Sequence, residues 1–409
     1  MEVKPGYKRT EVGVIPEEWD VSMVGHEFEI KLGKMLDAEK NVGAPKPYLG
    51  NKAVQWDQID ITDLPTVPMS RTDIERFRLR KGDLLVCEGG EVGRAAIWDA
   101  PIEECYYQKA LHRLRPLRGF DSRLMVALLR QWSDRGLLAN YVTQTSIAHL
   151  PREKLLEVPM PVPTPAEQRA IAGALSDVDA LIGALDQLIA KKRDLKQAAM
   201  QQLLTGQKRL PGFHGQWEVK RLGSLGEIQR GASPRPIDSP IWFDDNSSVG
   251  WVRISDVTKS GMYLRETTQR LSPLGVQSSR PVSRGSLIMS ICATVGRPII
   301  TEIDACIHDG FVVFDSLRAD KHFLYYALKS IEGDWSRHGQ TGSQMNLNTG
   351  LISRTEIPMP GTAAEQTAIA EVLSDMDAEL AALEQRRDKT RALKQGMMQE
   401  LLTGRIRLL

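Results

Sequence analysis

The chain has 409 residues, of which 42% are hydrophobic and 26% are charged. This composition is typical of folded domains and excludes a wholly disordered protein, and the length allows two to four domains. Lys and Arg number 53 against 52 Asp and Glu. The overall charge therefore gives no indication of a nucleic-acid partner, and any basic face must be balanced by acidic surface elsewhere.

Cysteine usage and hydropathy indicate the compartment. Cys87, Cys105, Cys292 and Cys306 lack the close spacing of a zinc site and are too few for a disulfide framework. Residues 1–20 lack the apolar core of a secretion signal, and no run of eighteen apolar residues occurs. We therefore expect a cytoplasmic protein without a membrane span.

The first half of the sequence predicts a mixed α/β domain. Residues 84–86 and 95–98 have the character of short strands around a glycine turn, and residues 123–132 carry apolar side chains at helical spacing. The run Val158-Pro-Met-Pro-Val-Pro-Thr-Pro165 cannot lie inside a helix. We expect it to form an extended strap that ends the domain.

A long helix should follow the strap. It begins near Ala166, with Glu167 in its first turn as the helix dipole favours, and stops at Gly206. Its apolar residues are spaced alternately by four and three, the a/d pattern of a coiled coil. The predicted inter-helix seam consists of Ile171, Leu175, Val178, Ile182 and Leu185 in this helix, and of Ile369, Leu373, Met376, Leu380 and Leu383 in a second one.

The second helix is a copy of the first. Residues 167–206 align without a gap to residues 365–404, at an offset of 198, with 24 identities in 40 positions. Basic residues recur at the same place in both helices, as a solvated face or as a docking surface for a subunit or for phosphates. A nearly invariant helix thus ends each half.

The domains before the helices repeat more weakly. Trp19 pairs with Trp217, and Gly33 pairs with Gly231. In the second half, residues 287–289 and 298–300 again predict strands, and residues 322–331 predict a helix. The two domains have diverged much further than their helices.

These patterns predict an α+β fold with two domains of mixed α/β structure, each followed by a long helix. Two like seams most simply bury each other, so we expect an antiparallel coiled coil with pseudo-twofold symmetry; packing of each helix on its own domain alone stays open. About 40 helical residues span roughly 60 Å, enough to hold the domains apart as a spacer. The expected boundaries are 1–163 and 207–361 for the domains, and 164–206 and 362–409 for the helices.

Three motifs carry a resemblance to a known family. Gly13-Val-Ile-Pro-Glu-Glu-Trp19, Val158-Pro-Met-Pro161 before Glu167-Gln-Arg-Ala-Ile-Ala172, and Leu203-Leu-Thr-Gly206 all recur in the second half, although the first becomes His214-Gly-Gln-Trp217. Over its whole length the chain resembles the specificity subunit of type I restriction-modification systems.

The resemblance implies that the two domains are target recognition domains, which read the halves of an asymmetric bipartite site in double-stranded DNA. The paired helices would then act as a ruler. It also implies two modification subunits that methylate adenine with S-adenosylmethionine, and restriction subunits that use ATP and Mg for translocation and cleavage in host defence. We expect no cofactor or metal in this chain.

The sequence offers little for catalysis. The run Gly89-Gly-Glu-Val-Gly93 lacks the Lys-Ser/Thr of a phosphate loop, and the seven histidines form no HxxxH or HxH pair. Glu29-Ile-Lys31 has the spacing of a nuclease triplet, which is common in charged surface sequence. We therefore expect a chain that does not catalyse a reaction.

DNA reading requires Arg or Lys for guanine, Gln or Asn for adenine, and hydroxyl groups for phosphates. Such residues in turns after predicted strands are the candidates, because loops on a rigid scaffold carry binding. Turn capping is the competing role for them. The candidates are Lys52, Gln55, Arg94, Gln108, Lys109, His112 and Ser146 in the first domain, and Arg253, Arg297, His308, Gln344 and Asn346 in the second.

Two other functions remain open at this stage. The chain could be the detached recognition half of a fused restriction-methylation enzyme with residual nuclease activity that depends on Glu29. It could also be a structural repeat protein that uses its seam for oligomerisation.

Overall fold

The computed structural model describes residues 4–37, 39, 41–144, 148–335 and 347–408. The chain divides into two compact units, the first formed by Met1–Asp186 with Gln385–Leu409 and the second by Gln187–Glu384. Each unit contains one recognition domain and a segment of each long helix. The boundaries expected from the sequence divide the chain by its repeat rather than by its packing, and they stay a prediction.

The first recognition domain is built on a four-stranded antiparallel sheet. Its strands lie in the order Ala95–Trp98, Asp83–Cys87, Leu111–Pro116 and Phe28–Leu32. In the strand Asp83–Cys87, Leu84 and Val86 belong to one hydrophobic cluster and Leu85 and Cys87 to another. This alternation shows a strand with core on both faces.

Smaller elements surround this sheet. Tyr106–Tyr107 runs parallel to Ala44–Leu49, which pairs antiparallel with Thr66–Met69. The hairpins are Tyr7–Thr10 with Gly13–Pro16, Val54–Gln55 with Gln58–Ile59, and Thr143–Gln144 with Ala148–His149. The helices are Val24–Glu27, Arg71–Phe77, Ser122–Asp134 and Arg152–Leu156, with 3-10 turns at Asn51–Ala53 and Leu137–Tyr141.

The second recognition domain has a five-stranded and a four-stranded sheet. In the five-stranded sheet the strands lie in the order Glu227–Arg230, Phe311–Asp315, Leu287–Ser290, Pro298–Thr301 and Tyr263–Leu264. In the four-stranded sheet the order is Gln269–Arg270, Gly250–Val252, Ala305–Ile307 and Arg280–Val282. The helices are Leu222–Leu225, Ile254–Lys259, Pro273–Gln277, Lys321–Ser330 and Thr349–Arg354, with 3-10 turns at Pro240–Trp242 and Glu332–Asp334. As in the first domain, alternate residues of Leu287–Ser290 face different clusters.

The straps close each domain as predicted. Pro159–Val162 pairs antiparallel with Asp20–Met23, and Glu356–Met359 pairs antiparallel with Glu218–Arg221. Each pairing joins the end of a domain to its beginning. The chain therefore enters the long helix from a fixed position on its own domain.

The long helices are Pro165–Leu203 and Ala363–Leu401, of 39 residues each. Gly206 and Gly404 follow them at φ of 73° and 67°, in the left-handed region where glycine is favoured. The predicted positions of both helices and of both stops are confirmed.

Within each unit the helix segments run antiparallel. In the first unit Lys394 pairs with Asp179 at 2.6 Å and Arg391 pairs with Asp186 at 2.9 Å. In the second unit Lys192 pairs with Glu379 at 2.7 Å and Lys196 pairs with Asp377. Several of the recurring basic residues are thus neutralised by the facing helix.

The apolar seam positions are the shielded side of the helices. Ile171, Leu175, Leu185, Ile369, Leu373 and Leu380 are buried, and Val178, Ile182, Met376 and Leu383 are half-buried. Ile171 and Leu175 share a cluster with the core of the first domain and with Met398 and Leu401. The first turns of the helix therefore pack on both its own domain and the other helix. The predicted α+β fold class is confirmed.

Candidate nucleic-acid interface

A buried Glu-Gln pair fixes the start of each long helix. Gln168 accepts a hydrogen bond from the backbone of Asp121 at 3.0 Å and donates one to the carbonyl of Pro163 at 2.9 Å. In the same way Gln366 accepts a hydrogen bond from the backbone of Asp320 and donates one to the carbonyl of Pro360. The glutamine thus ties strap, helix and domain core together.

The glutamates bind the tryptophans of the repeat. Glu167 is 1% exposed and accepts hydrogen bonds from Trp19 at 3.0 Å and from Arg407. Burial raises the pKa of Glu167, but the hydrogen bonds from Arg407 and Trp19 outweigh it, so the pKa lies below its ordinary value. In the second unit the carboxylate of Glu365 accepts hydrogen bonds from Arg209 at 2.5 and 2.7 Å and from Trp217 at 3.4 Å.

The same backbone pattern forms one edge of each recognition domain. In the first, Gly33 donates to the carbonyl of Leu111 at 3.2 Å and Lys34 to that of Tyr107 at 2.9 Å. In the second, Gly231 donates to Phe311 at 2.9 Å and Ala232 to Ile307 at 3.1 Å. The paired glycines thus have the same role in both domains.

The close approach at these glycines explains their identity. A Cβ atom on Gly33 would lie 2.3 Å from the carbonyl oxygen of Gln108, and one on Gly231 would lie 2.0 Å from that of His308. The pattern therefore aligns Gln108 with His308 and Lys109 with Asp309. We call these strand ends the first reading edge (Lys34, Asn51, Lys52, Gln108, Lys109) and the second reading edge (Arg230, Ser233, Arg235, Arg253, His308, Asp309).

At the first reading edge, Lys52 and Lys109 are exposed and Gln108 is half-buried. Gln55 is exposed too, but its amide donates to the carbonyl of Lys52 at 2.8 Å, which is the turn-capping role. Asn51 donates to the carbonyl of Gly89 at 2.8 Å. The groups that this edge exposes are therefore the ammonium groups of Lys52 and Lys109, with the half-buried amide of Gln108 beside them.

Arg94 and Arg297, the arginines at matched positions, are held by the protein. Arg94 donates to the carbonyl of Asn51 at 3.0 Å and pairs with Glu91 at 3.3 Å, with its side chain 14% exposed. Arg297 is half-buried and donates to the carbonyl of Ser260 at 3.5 Å. These contacts give both residues a structural role, and a direct contact with DNA stays a prediction for them.

His112 lies in the interior rather than at the edge. Its side chain is 0% exposed, and Nε2 lies 2.8 Å from the carbonyl oxygen of Leu150. Burial lowers the pKa of His112, so the ring is neutral at neutral pH. This corrects the prediction of His112 as a DNA contact, because its strand is buried on both faces.

The second reading edge has a different chemistry. His308 accepts a hydrogen bond from the backbone of Gly310 at Nδ1, at 2.9 Å, and packs against Trp251 and Phe311. Burial lowers the pKa of His308. The neutral ring therefore carries its hydrogen on Nε2, as a single donor.

Arginines dominate the surroundings of His308. Arg253, at the end of Gly250–Val252, is half-buried, and its backbone N–H donates to Asp256 at 2.9 Å. Arg230 and Arg235 contact Asp309, and Arg280 donates to Gln229 at 2.6 Å. Arg230, Ser233 and Arg235 were not among the candidates from the sequence, although their position on either side of Gly231 was a usable signal.

Ser146, Gln344 and Asn346 lie outside the described residues, so they stay predictions. Among the residues that are described, no group of three or more His, Cys, Asp or Glu has the geometry of a metal site. Glu29 pairs with Lys31 at 2.8 Å and with Arg113 at 3.1 Å.

The cysteines and the helices complete the description. Burial raises the pKa of the Cys87 thiol to about 11 and that of Cys105 to about 12, so both stay protonated at neutral pH. Within the described ranges, none of the helices is both long and apolar enough to cross a membrane.

Comparisons with known proteins agree with this architecture. A family model described as the type I restriction modification DNA specificity domain matches twice, over residues 16–191 and 214–391. The putative type I restriction enzyme MjaX specificity subunit of Methanocaldococcus jannaschii is 25% identical over an alignment of 425 residues. The alignment covers 98% of this chain and 97% of that protein. The HindI specificity subunit of Haemophilus influenzae is 29% identical over 154 residues, covering 35% of this chain and 32% of that protein. The crystal structure of a type I S subunit from M. genitalium superposes with a TM-score of 0.60, at 16% identity and 98% coverage of both chains.

Proposed function

The chain belongs to the type I restriction modification DNA specificity family and is a specificity subunit, and from this premise we propose that it reads a bipartite, asymmetric DNA site with its two recognition domains. One observation carries the proposal. The reading edges share their backbone pattern but differ in the side chains at matched positions, Gln108 and Lys109 against His308 and Asp309. A shared backbone frame with different base-reading groups is what two different half-sites require.

The edges suit the major groove. Its base pairs present amino donors and keto or ring-nitrogen acceptors, which side-chain amides, ammonium groups, guanidinium groups and carboxylates distinguish. The arginines of the second reading edge, and Lys52 and Lys109 of the first, also provide positive charge for phosphates. Binding should therefore weaken steeply as the salt concentration rises.

The catalytic steps belong to partner subunits in this proposal. The chain docks two modification subunits, which use S-adenosylmethionine to methylate adenine, and restriction subunits, which use ATP and Mg, in a cytoplasmic complex. The chain itself supplies binding and no catalysis. The family membership supports this division of labour.

The long helices set the spacer between the half-sites in this proposal. A continuous helix of 39 residues measures about 58 Å along its axis. Successive major grooves on one face of DNA are about 34 Å apart. Helices of this length are therefore long enough to separate two half-sites.

The test is to map methylated adenines in DNA from cells that express the chain with its modification subunits. We expect one bipartite motif with two unlike halves and a fixed spacer. A single uninterrupted motif, or none, would overturn the proposal. Metal-dependent cleavage by the purified chain, lost in Glu29→Gln, would instead favour the fused restriction-methylation enzyme.

A further inference from the structure

The matched position Lys109/Asp309 carries opposite hydrogen-bonding chemistry in the two domains. Each residue directly follows the one whose carbonyl packs on a paired glycine. Lys109 follows Gln108, which packs on Gly33, and Asp309 follows His308, which packs on Gly231. An ammonium group is a donor only, and an ionised carboxylate is an acceptor only. Lys109 is exposed, and the Asp309 side chain is 41% exposed. Both can reach a ligand at the edge.

The carboxylate of Asp309 is held in a fixed orientation. One oxygen accepts a hydrogen bond from the Ser233 hydroxyl at 2.8 Å, and the other accepts one from Arg235 at 3.2 Å. Arg230 donates to the backbone carbonyl of the same residue at 2.8 Å. A carboxylate has about four lone-pair positions, so these contacts leave acceptor capacity on both oxygens.

Asp309 is ionised at neutral pH. Burial raises the pKa of Asp309, but the hydrogen bond from Ser233 and the nearby His308, Arg235 and Arg230 outweigh it and hold the pKa below its ordinary value. A carboxylate near DNA is repelled by phosphates unless cations accompany it. The arginines at this edge supply them, which leaves Asp309 free to face bases.

We infer that Asp309 is a specificity-determining residue that reads an exocyclic amino group, that of cytosine or adenine, at one position of the half-site bound by the second domain. In the major groove, cytosine and adenine present an amino donor, whereas thymine and guanine present a keto acceptor. An acceptor-only group therefore selects amino bases. By the same reasoning Lys109, which only donates, favours a base with a keto acceptor in the other half-site, and guanine above all because its O6 and N7 both accept.

This inference rests on the proposed function, and the test separates the two. Asp309→Asn keeps the shape and adds an N–H donor, so it should admit a keto base at one position. The assay is methylation mapping of wild type and variant, assembled with the modification subunits. We expect the preference for amino bases at that position to fall from about tenfold or more to near parity, with the other half-site unchanged.

Two further variants make the result decisive. Asp304→Asn removes the same charge at the other end of the strand Ala305–Ile307, away from Asp309. This control variant should leave the base preferences in both half-sites unchanged. Lys109→Gln adds an acceptor. It should weaken the preference for a keto base at one position of the other half-site and leave the half-site of the second domain unchanged.

Four results would overturn the inference. A wild-type complex without a bipartite motif removes the proposed function, and the inference with it. A normal wild-type motif that Asp309→Asn leaves unchanged, or a loss of affinity equal for all sequences, removes the inference alone. If Asp309→Asn and Arg235→Gln relax the same guanine position, Asp309 only positions Arg235.

Discussion

Arg407→Ala should loosen the first unit, because it removes the main partner of a buried carboxylate. Glu167 is 1% exposed and accepts hydrogen bonds from Nε and Nη2 of Arg407, the latter at 2.9 Å. In the variant Glu167 keeps Trp19 at 3.0 Å and Thr164 at 3.2 Å. The carboxylate would then lie buried without a counter-charge.

The expected loss follows from the burial of the pair. Removing one partner of a buried ion pair costs about 3–5 kcal/mol. The Arg407 side chain is 20% exposed, and two hydrogen bonds to Glu167 remain, so we expect a cost below that range, about 2–3 kcal/mol. The opening equilibrium of the surrounding segment should rise about 30- to 150-fold.

Amide hydrogen exchange measures this change unit by unit. Residues 167–175 should exchange faster in Arg407→Ala, while residues 365–373 of the second unit keep their wild-type rates. Arg209→Ala is the matched control, since Arg209 binds Glu365 at 2.5 and 2.7 Å. In that variant residues 365–373 should exchange faster, while residues 167–175 keep their wild-type rates. Equal exchange in wild type and Arg407→Ala, or equal loosening of both segments, would refute the reasoning.

The pH dependence has a definite sign. The pKa of Glu167 in the folded protein lies below its ordinary value, so its contribution to stability is present above about pH 4.3, the ordinary Glu pKa, and is lost as the pH falls through the folded pKa. The difference in exchange between wild type and Arg407→Ala should therefore shrink on acidification. A difference that grows towards low pH would contradict this account.

Three other perturbations test the edges and the spacer. Gly231→Ala should weaken recognition of one half-site only, because overpacking against the carbonyl of His308 costs about 1–3 kcal/mol; DNA-binding titrations with each half-site mutated in turn measure this. His112→Leu should lower the free energy of unfolding by about 1–3 kcal/mol, since the carbonyl of Leu150 loses its partner, and leave the methylated motif unchanged; denaturant unfolding and methylation mapping check both. Inserting one heptad into each long helix keeps the seam in phase and adds about 10 Å, so the mapped spacer should lengthen by about three base pairs.

Local pattern was sufficient for much of the fold. The strands Asp83–Cys87 and Leu287–Ser290 lie where apolar runs and turn residues predict them, and Ser122–Asp134 lies where helical spacing predicts it. The long helices begin after a proline-rich strap and stop before a glycine. These features follow from periodicity and backbone restrictions, which act between residues close together in the chain.

The candidate residues divided according to their tertiary surroundings. Lys52 and Lys109 are exposed as expected, whereas His112 is buried and Arg94 bonds the backbone of Asn51. A histidine or arginine in a turn-rich segment has the same local sequence whether it faces solvent or core. Its role is decided by the strands that pack on it.

By itself the sequence determined the repeat, the two long helices and the likeness and divergence of the two halves, because identity at a fixed offset and helical spacing are properties of the chain alone. Only the tertiary structure decided how the reading edges are composed. The first joins the ends of Phe28–Leu32, Ala44–Leu49 and Tyr106–Tyr107, and Glu167 meets Arg407 across 240 residues of chain. Contacts between such distant segments depend on sheet pairing and burial, which leave no periodic signal in the sequence.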